Sequence, residues 1–339
     1  MRTAISTTAL ALVLACAAGS ASAETSGKRI ALSNNYAGNS WRQAMLQSWD
    51  KVTKSAVSDH NVAAADSFTT ADKEVPTQAA QLQNLILQSY DAIVIDAASP
   101  EALNGAVKAA CDAGITVVSF DGTVSEPCAY RVGIDYVGMG RNQVDYLAKR
   151  LPDGGNLLEI RGLAGTSIDG LIHQGIADGV KAHPNFKVVG SVTGNWDEAT
   201  AQKAVATVLP SLPDVVGVVD QGGDGYGAAQ AFNGAGKREP IIIMGNRQDE
   251  LAWWKQQRDA NGYATWSASI APGGVTLAFW VAQQILDGKK VPHDIVFPAL
   301  EVDQDHLDAA LKAAPVGGVY NTEYSKADAL KAVTASGAK

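Results

Sequence analysis

The chain has 339 residues, with 27 Lys and Arg against 35 Asp and Glu, for a formal net charge of −8. An acidic chain without a basic cluster argues against a nucleic-acid binder, because phosphates demand Lys and Arg. The length accommodates two domains of ordinary size.

The first 23 residues read as an export signal rather than as part of a fold. Arg2 supplies a positive start, residues 9–18 form a short apolar run, and Ala21-Ser22-Ala23 offers small residues for cleavage after Ala23. The run is too short to cross a bilayer as a stable helix. A competing reading takes Val13-Leu14-Ala15-Cys16 as a lipoprotein signal with Cys16 lipidated. Removing Arg2 takes the charge from −8 to −9. Cys111 and Cys128 then remain, and an even count in an exported chain suggests one disulfide, with two free thiols as the alternative.

Past Lys28 the pattern alternates short β-rich runs with helix-like segments. Strands are expected over 30–32, 62–68, 92–96 and 116–120, with helices over 41–55, 76–88 and 100–113. Pro76 and Pro100 sit where a first-turn proline is tolerated. A helix over 138–151 precedes a second series: strands 157–160, 188–193, 215–219, 241–244 and 265–270, with helices 167–182, 199–209, 224–233 and 250–258. A last long amphipathic helix covers 275–286, followed by a strand-like run over 295–300 and a Gly- and Ala-rich tail from Ala313 that wraps the surface. The strands are near-continuous apolar runs, as expected of parallel sheets covered on both faces. The order strand, polar turn, helix, strand opens both series, at Ile30 and again at Leu157. The fold class expected is α/β: two Rossmann-like lobes, each a parallel sheet flanked by helices.

Ligands gather at the carboxyl ends of strands in open α/β sheets. Those ends carry Asn34, Asn35 and Tyr36, then Trp41; Asp121; Arg161; Trp196 and Asp197; Gln221 and Asp224; and Asn246 with Arg247. Amides, single carboxylates and indole rings suit a neutral polyhydroxylated ligand. Each hydroxyl both donates and accepts, and an aromatic face covers the C–H side of a sugar ring. Taken singly, each of these residues is more often turn or packing chemistry; their recurrence at successive strand ends is the signal.

Other chemistries fare worse. Gly223-Asp224-Gly225 with Ala228 fits a relaxed dinucleotide fingerprint, but Asp224 would repel a pyrophosphate. The five histidines show no metal-ligand spacing. Asp303, Asp305 and Asp308 lack the Gly and Glu of a calcium loop. No G-x-S-x-G is present, and a paired-carboxylate hydrolase built on residues such as Asp121 and Asp224 is the runner-up reading.

With these residues assembled, the chain resembles the periplasmic sugar-binding proteins of ABC importers, of the ribose-binding type. The matches run from about Lys28 to about Gly288: Gly162-Leu-Ala-Gly-Thr-Ser167 after a strand, Ser119-Phe-Asp121, and Asn34-Asn35. The resemblance implies two lobes joined by a three-strand hinge and closing over one sugar. The lobes would be 24–130 plus 272–293 and 131–271 plus 294–339, with crossings near 130–133, 271–272 and 292–295. Carried over, Asn35 and Asp121 would bind hydroxyls, Trp41 and Trp196 would stack, and Gln221 and Asn246 would add polar contacts. It further implies a cofactor-free, monomeric periplasmic protein whose partners are a sugar or polyol and an inner-membrane ABC permease. A chemoreceptor as a second partner stays open. A repressor effector domain shares the architecture, but a signal peptide occupies the end where its DNA-binding motif would sit. The chain departs from the ribose pattern where Gly122 and Gly170 replace arginines and Ile270 replaces a Gln. Arg161 or Arg247 would have to supply a replacement, or the ligand would be larger.

Overall fold

The computed structural model describes residues 25–71 and 74–337; the segment read as an export signal lies outside them. Two parallel sheets organise the chain. The first has six strands: β1 (Arg29–Asn34), β2 (Ala64–Thr69), β3 (Ala92–Asp96), β4 (Thr116–Phe120), β5 (Tyr130–Gly133) and β11 (Asp294–Val296), in the order β11-β5-β4-β3-β1-β2. All of its pairings are parallel. β3 (AIVID) is buried at every position, which is why it reads as a continuous apolar run without alternation.

The second sheet orders β6 (Gly155–Arg161), β7 (Phe186–Thr193), β8 (Val215–Val219) and β9 (Ile241–Ile242) as β7-β6-β8-β9, again parallel. β10 (Ser267–Ser269) and β12 (Leu300–Val302) pair antiparallel beside it. Helices cover both sheets. On the first lie α1 (Ser40–Ser58), α2 (Val75–Leu87), α3 (Asn104–Asp112) and α9 (Gly274–Leu286). With the second go α4 (Tyr136–Arg150), α5 (Ser167–Ala182), α6 (Glu198–Val208), α7 (Gly225–Gly234) and α8 (Gln248–Asn261).

The chain passes between the lobes three times. It leaves the first sheet after Gly133, returns through residues 270–273 between β10 and α9, and leaves again through 297–299 between β11 and β12. α9 is buried along nearly its whole length, and Trp49 of α1 packs edge-on against its Phe279 at 5.6 Å. No described helix is long and apolar enough to cross a membrane.

Three local expectations are corrected. The helix expected from Pro100 begins at Asn104, after a turn. The single run expected over 295–300 is two strands, because Pro298 between them has no N–H to donate to a ladder. The tail expected to wrap the surface from Ala313 carries α11 (Lys326–Gly337), which returns to α9 and β11, while α10 (Leu307–Ala313) just before it packs on α8. Cys111, in α3, and Cys128, in the loop before β5, form the expected disulfide, with Cα atoms 6.4 Å apart.

Candidate functional site

A cavity lies between the lobes, at the carboxyl ends of both sheets, with about 570 Å³ of empty space including its mouth. Six residues expected from the strand ends line it: Trp41, Asp121, Trp196, Gln221, Asn246 and Arg247.

The first-lobe wall is built by the start of α1. Asn39 caps the helix, accepting from the Arg42 amide at 2.8 Å, and this fixes Trp41 and Arg42 in the first turn. The Trp41 indole donates to the Ile270 carbonyl at 2.9 Å, on a strand crossing, and stacks on Phe120 with centroids 6.5 Å apart. The Arg42 guanidinium lies beside the Trp41 ring and between two carboxylates. It pairs with Asp96 at the end of β3, and its Nη2 lies 3.4 Å from Asp121 Oδ2. Tyr136 completes the group by donating its hydroxyl to Asp121 Oδ1 at 3.0 Å. Burial pushes the Asp121 carboxyl up from its ordinary value, against the pull of Arg42 and the Tyr136 bond. Burial and the adjacent Asp121 hold the Tyr136 phenol well above its usual range.

Asp121 adopts φ 54°, and the following Gly122 donates its N–H to Asp96 Oδ1 at 3.3 Å. A Cβ on Gly122 would lie 2.7 Å from both the Ala97 carbonyl and Asp96 Oδ1, so this backbone accepts only glycine without shifting. Arg42 of the facing α1 is the group that brings a guanidinium to Asp96 and Asp121.

The second-lobe wall hangs on Asp169 in the first turn of α5. Arg161 grips its carboxylate with two bonds, of 2.8 and 2.6 Å. Gln221 donates its amide to the same carboxylate at 3.0 Å and to the Asp169 carbonyl at 3.1 Å. These bonds orient Gln221, whose buried Oε1 accepts no hydrogen bond among the described residues. Trp196 sits in a turn where Asn195 and Trp196 have φ 60° and 55°, and its carbonyl accepts from the Arg247 guanidinium. Asn246 is locked against the tail, donating to the Tyr320 carbonyl at 2.7 Å while accepting from the Tyr320 N–H at 2.7 Å.

The remaining predicted residues lie elsewhere. Asn34 is fully buried beneath the wall, donating to the Tyr36 carbonyl at 2.6 Å and to Thr69 at 3.2 Å. Arg161 is committed to Asp169 and stands outside the lining, so the second lobe contributes Arg247 alone. Asn35 and Tyr36 line an adjoining compartment nearer the surface. Asp224 is buried behind the wall, not on it. Among the described residues neither of its oxygens has a hydrogen-bond partner, and burial and Asp220 push its carboxyl well above the usual range against the charge of Arg247. Asp121 and Asp224 therefore do not share the cavity wall, and the hydrolase reading loses the pair it named. His173, on α5, bonds Glu159 at 2.7 Å.

Sequence reasoning missed Arg42, Asp96, Tyr136, and the apolar side formed by Met139, Ile168 and Ile172. Asp96 ends a strand that was expected, so the strand-end rule applied to it. Arg42 follows Trp41 in one helical turn. Tyr136 and Met139 had no signal, because α4 lies beyond the strand ends considered.

Comparison with known proteins gives consistent results. Residues 30–290 match the family model described as a periplasmic binding protein domain. The xylitol-binding protein of Mycolicibacterium smegmatis is 28% identical over 307 residues, 88% of this chain and 83% of that one. The ribose import binding protein of Salmonella typhimurium is 28% identical over 236 residues, covering 68% and 76%. The crystal structure of an ABC transporter solute binding protein from Thermobispora bispora superposes with TM-score 0.84 at 31% identity, covering 92% of this chain and 96% of that one.

Proposed function

The chain belongs to the periplasmic binding protein family, as a ribose-binding-like type I member, and from that premise we propose that it captures a sugar or polyol for an ABC permease. The observation that carries the reading is the wall chemistry: two indoles, the buried Asp121 carboxyl beside the Arg42 guanidinium, and a Gln221 carbonyl oxygen left without a donor among the described residues. An unmet acceptor in a buried wall calls for a hydroxyl, and indoles call for a ring's C–H face.

The protein works by population shift. A ligand touching Asp121 and Trp41 on one lobe and Trp196, Gln221 and Asn246 on the other binds the closed state better and so favours it. The closed rim is then what the permease reads, one lobe to each half. No bond-making step is needed, and the role is non-catalytic. Export into the periplasm, with residues 1–23 removed after Ala23, fits the family's working compartment. The boundaries expected at 130 and 293 move a few residues on, because β5 (Tyr130–Gly133) and β11 (Asp294–Val296) pair within the first sheet: the division proposed is 24–133 plus 272–296 against 134–271 plus 297–339, with α11 resting on the first lobe.

Thermal unfolding of the ligand-stripped protein against pentoses, hexoses, polyols and amino acids tests the reading. A ligand at about 100 times its Kd adds about 2.7 kcal/mol, a clear rise in Tm. Trp196→Ala should weaken the responding ligand more than tenfold. A response to amino acids alone would overturn the ligand class, and unchanged affinity in the variant would remove Trp196 from the site.

A further inference from the structure

The cavity does not end at the ring-sized chamber. A second compartment, with about 850 Å³ of empty space including its mouth, adjoins it toward the surface. Asn39, Arg42, Ile168 and Trp196 line both, so the two chambers meet along the start of α1, α5 and the Trp196 turn. Taking the cavity as a sugar site, we propose that the outer compartment is a second subsite, and that the ligand class is a neutral two-unit glycoside or disaccharide.

Two observations support the assignment. Both lobes contribute to the outer walls, Asn35, Tyr36 and Gly122 from one and Thr166, Asn195 and Asp197 from the other, so a second unit there also rewards closure. The side-chain amides of Asn35 and Asn195 make no protein hydrogen bond among the described residues, which leaves donors and acceptors on each side for hydroxyls.

The charges define the ligand's character. No lysine lines the outer compartment, and its arginine, Arg42, is held by Asp96 and Asp121. Asp197 caps α6, accepting from the Thr200 N–H at 2.8 Å and hydroxyl at 2.7 Å; these bonds hold its carboxyl below the ordinary value and keep it charged. A phosphate or uronate second unit would meet carboxylates with no cation to answer it. A neutral unit meets hydrogen-bonding groups and the Trp196 side chain.

The test is calorimetric titration of the ligand-stripped protein with matched pairs: xylose and xylobiose, glucose and maltose, galactose and lactose. At least one disaccharide should bind tenfold or more tightly than its monosaccharide. Ala98→Trp, which fills the outer compartment from a loop position, should abolish that preference while leaving the monosaccharide within twofold. Monosaccharide binding with no disaccharide gain overturns the subsite and leaves the sugar reading standing, as does an equal loss of both ligands in Ala98→Trp. Silence to every sugar of either size, from folded protein, overturns the sugar reading itself.

Discussion

Arg42 holds together groups that would otherwise be incompatible. Asp96 is fully buried and Asp121 nearly so, and two carboxylates share one guanidinium on which the Trp41 ring also rests. Arg42→Gln strands both carboxylates in a dry site, and breaking a buried pair in this way costs about 3–5 kcal/mol. Urea unfolding should show that loss together with a collapse in ligand affinity; a loss under 1 kcal/mol would mean the carboxylates are answered from elsewhere. A second residue prediction concerns Glu198, at the start of α6. Burial, a hydrogen bond shared with Asp249 and the charges of Asp249 and Glu250 raise its carboxyl from 4.5 to about 7, with Arg247 opposing. The folded state then keeps a proton that the unfolded chain releases, so this group's contribution falls as pH rises from 4.5 to 7. Glu198→Gln removes the group. Its stability relative to the parent should climb across that window, and a pH-independent difference would show that Glu198 titrates normally.

At the scale of elements, α4 and α5 are pressed together through glycines. A Cβ on Gly175 would lie 2.0 Å from the Val137 carbonyl, and one on Gly140 would lie 2.2 Å from the Ile172 carbonyl. The contact matters for the site because α4 carries Tyr136 and Met139 and α5 carries Ile168 and Ile172, all on the cavity wall. Helix propensity alone predicts that Gly175→Ala stabilises by about 0.5–1 kcal/mol. The backbone contact predicts the reverse, a loss of about 1–3 kcal/mol from overpacking. Gly170→Ala, in the first turn of the same helix with open space around it, should lose nothing. Denaturant midpoints of the two variants moving in the same direction would refute the packing argument.

On the scale of the whole molecule, three short crossings join the lobes, and one of them carries the Ile270 carbonyl that Trp41 grips. Ligand should therefore change the overall shape: small-angle scattering of the stripped protein should show a radius of gyration that falls on adding ligand. An unchanged radius would mean the lobes are already closed without it. The sequence by itself determined the α/β order of elements, the disulfide partners and six of the residues that strand ends bring to the wall. Buried parallel strands must be apolar throughout, and ligand groups must sit where strands end, so Trp41, Asp121, Trp196, Gln221, Asn246 and Arg247 were legible one strand at a time. Only the tertiary structure decided what those residues do to one another. Arg161 was spent on Asp169, Asp224 was turned behind the wall, α11 was carried back to the first lobe, and Arg42 was placed between Asp96 and Asp121. The reason is one of distance. Strand ends are set by local periodicity, whereas the pairing of charges depends on which lobes and loops meet, and those contacts span intervals that no local pattern records.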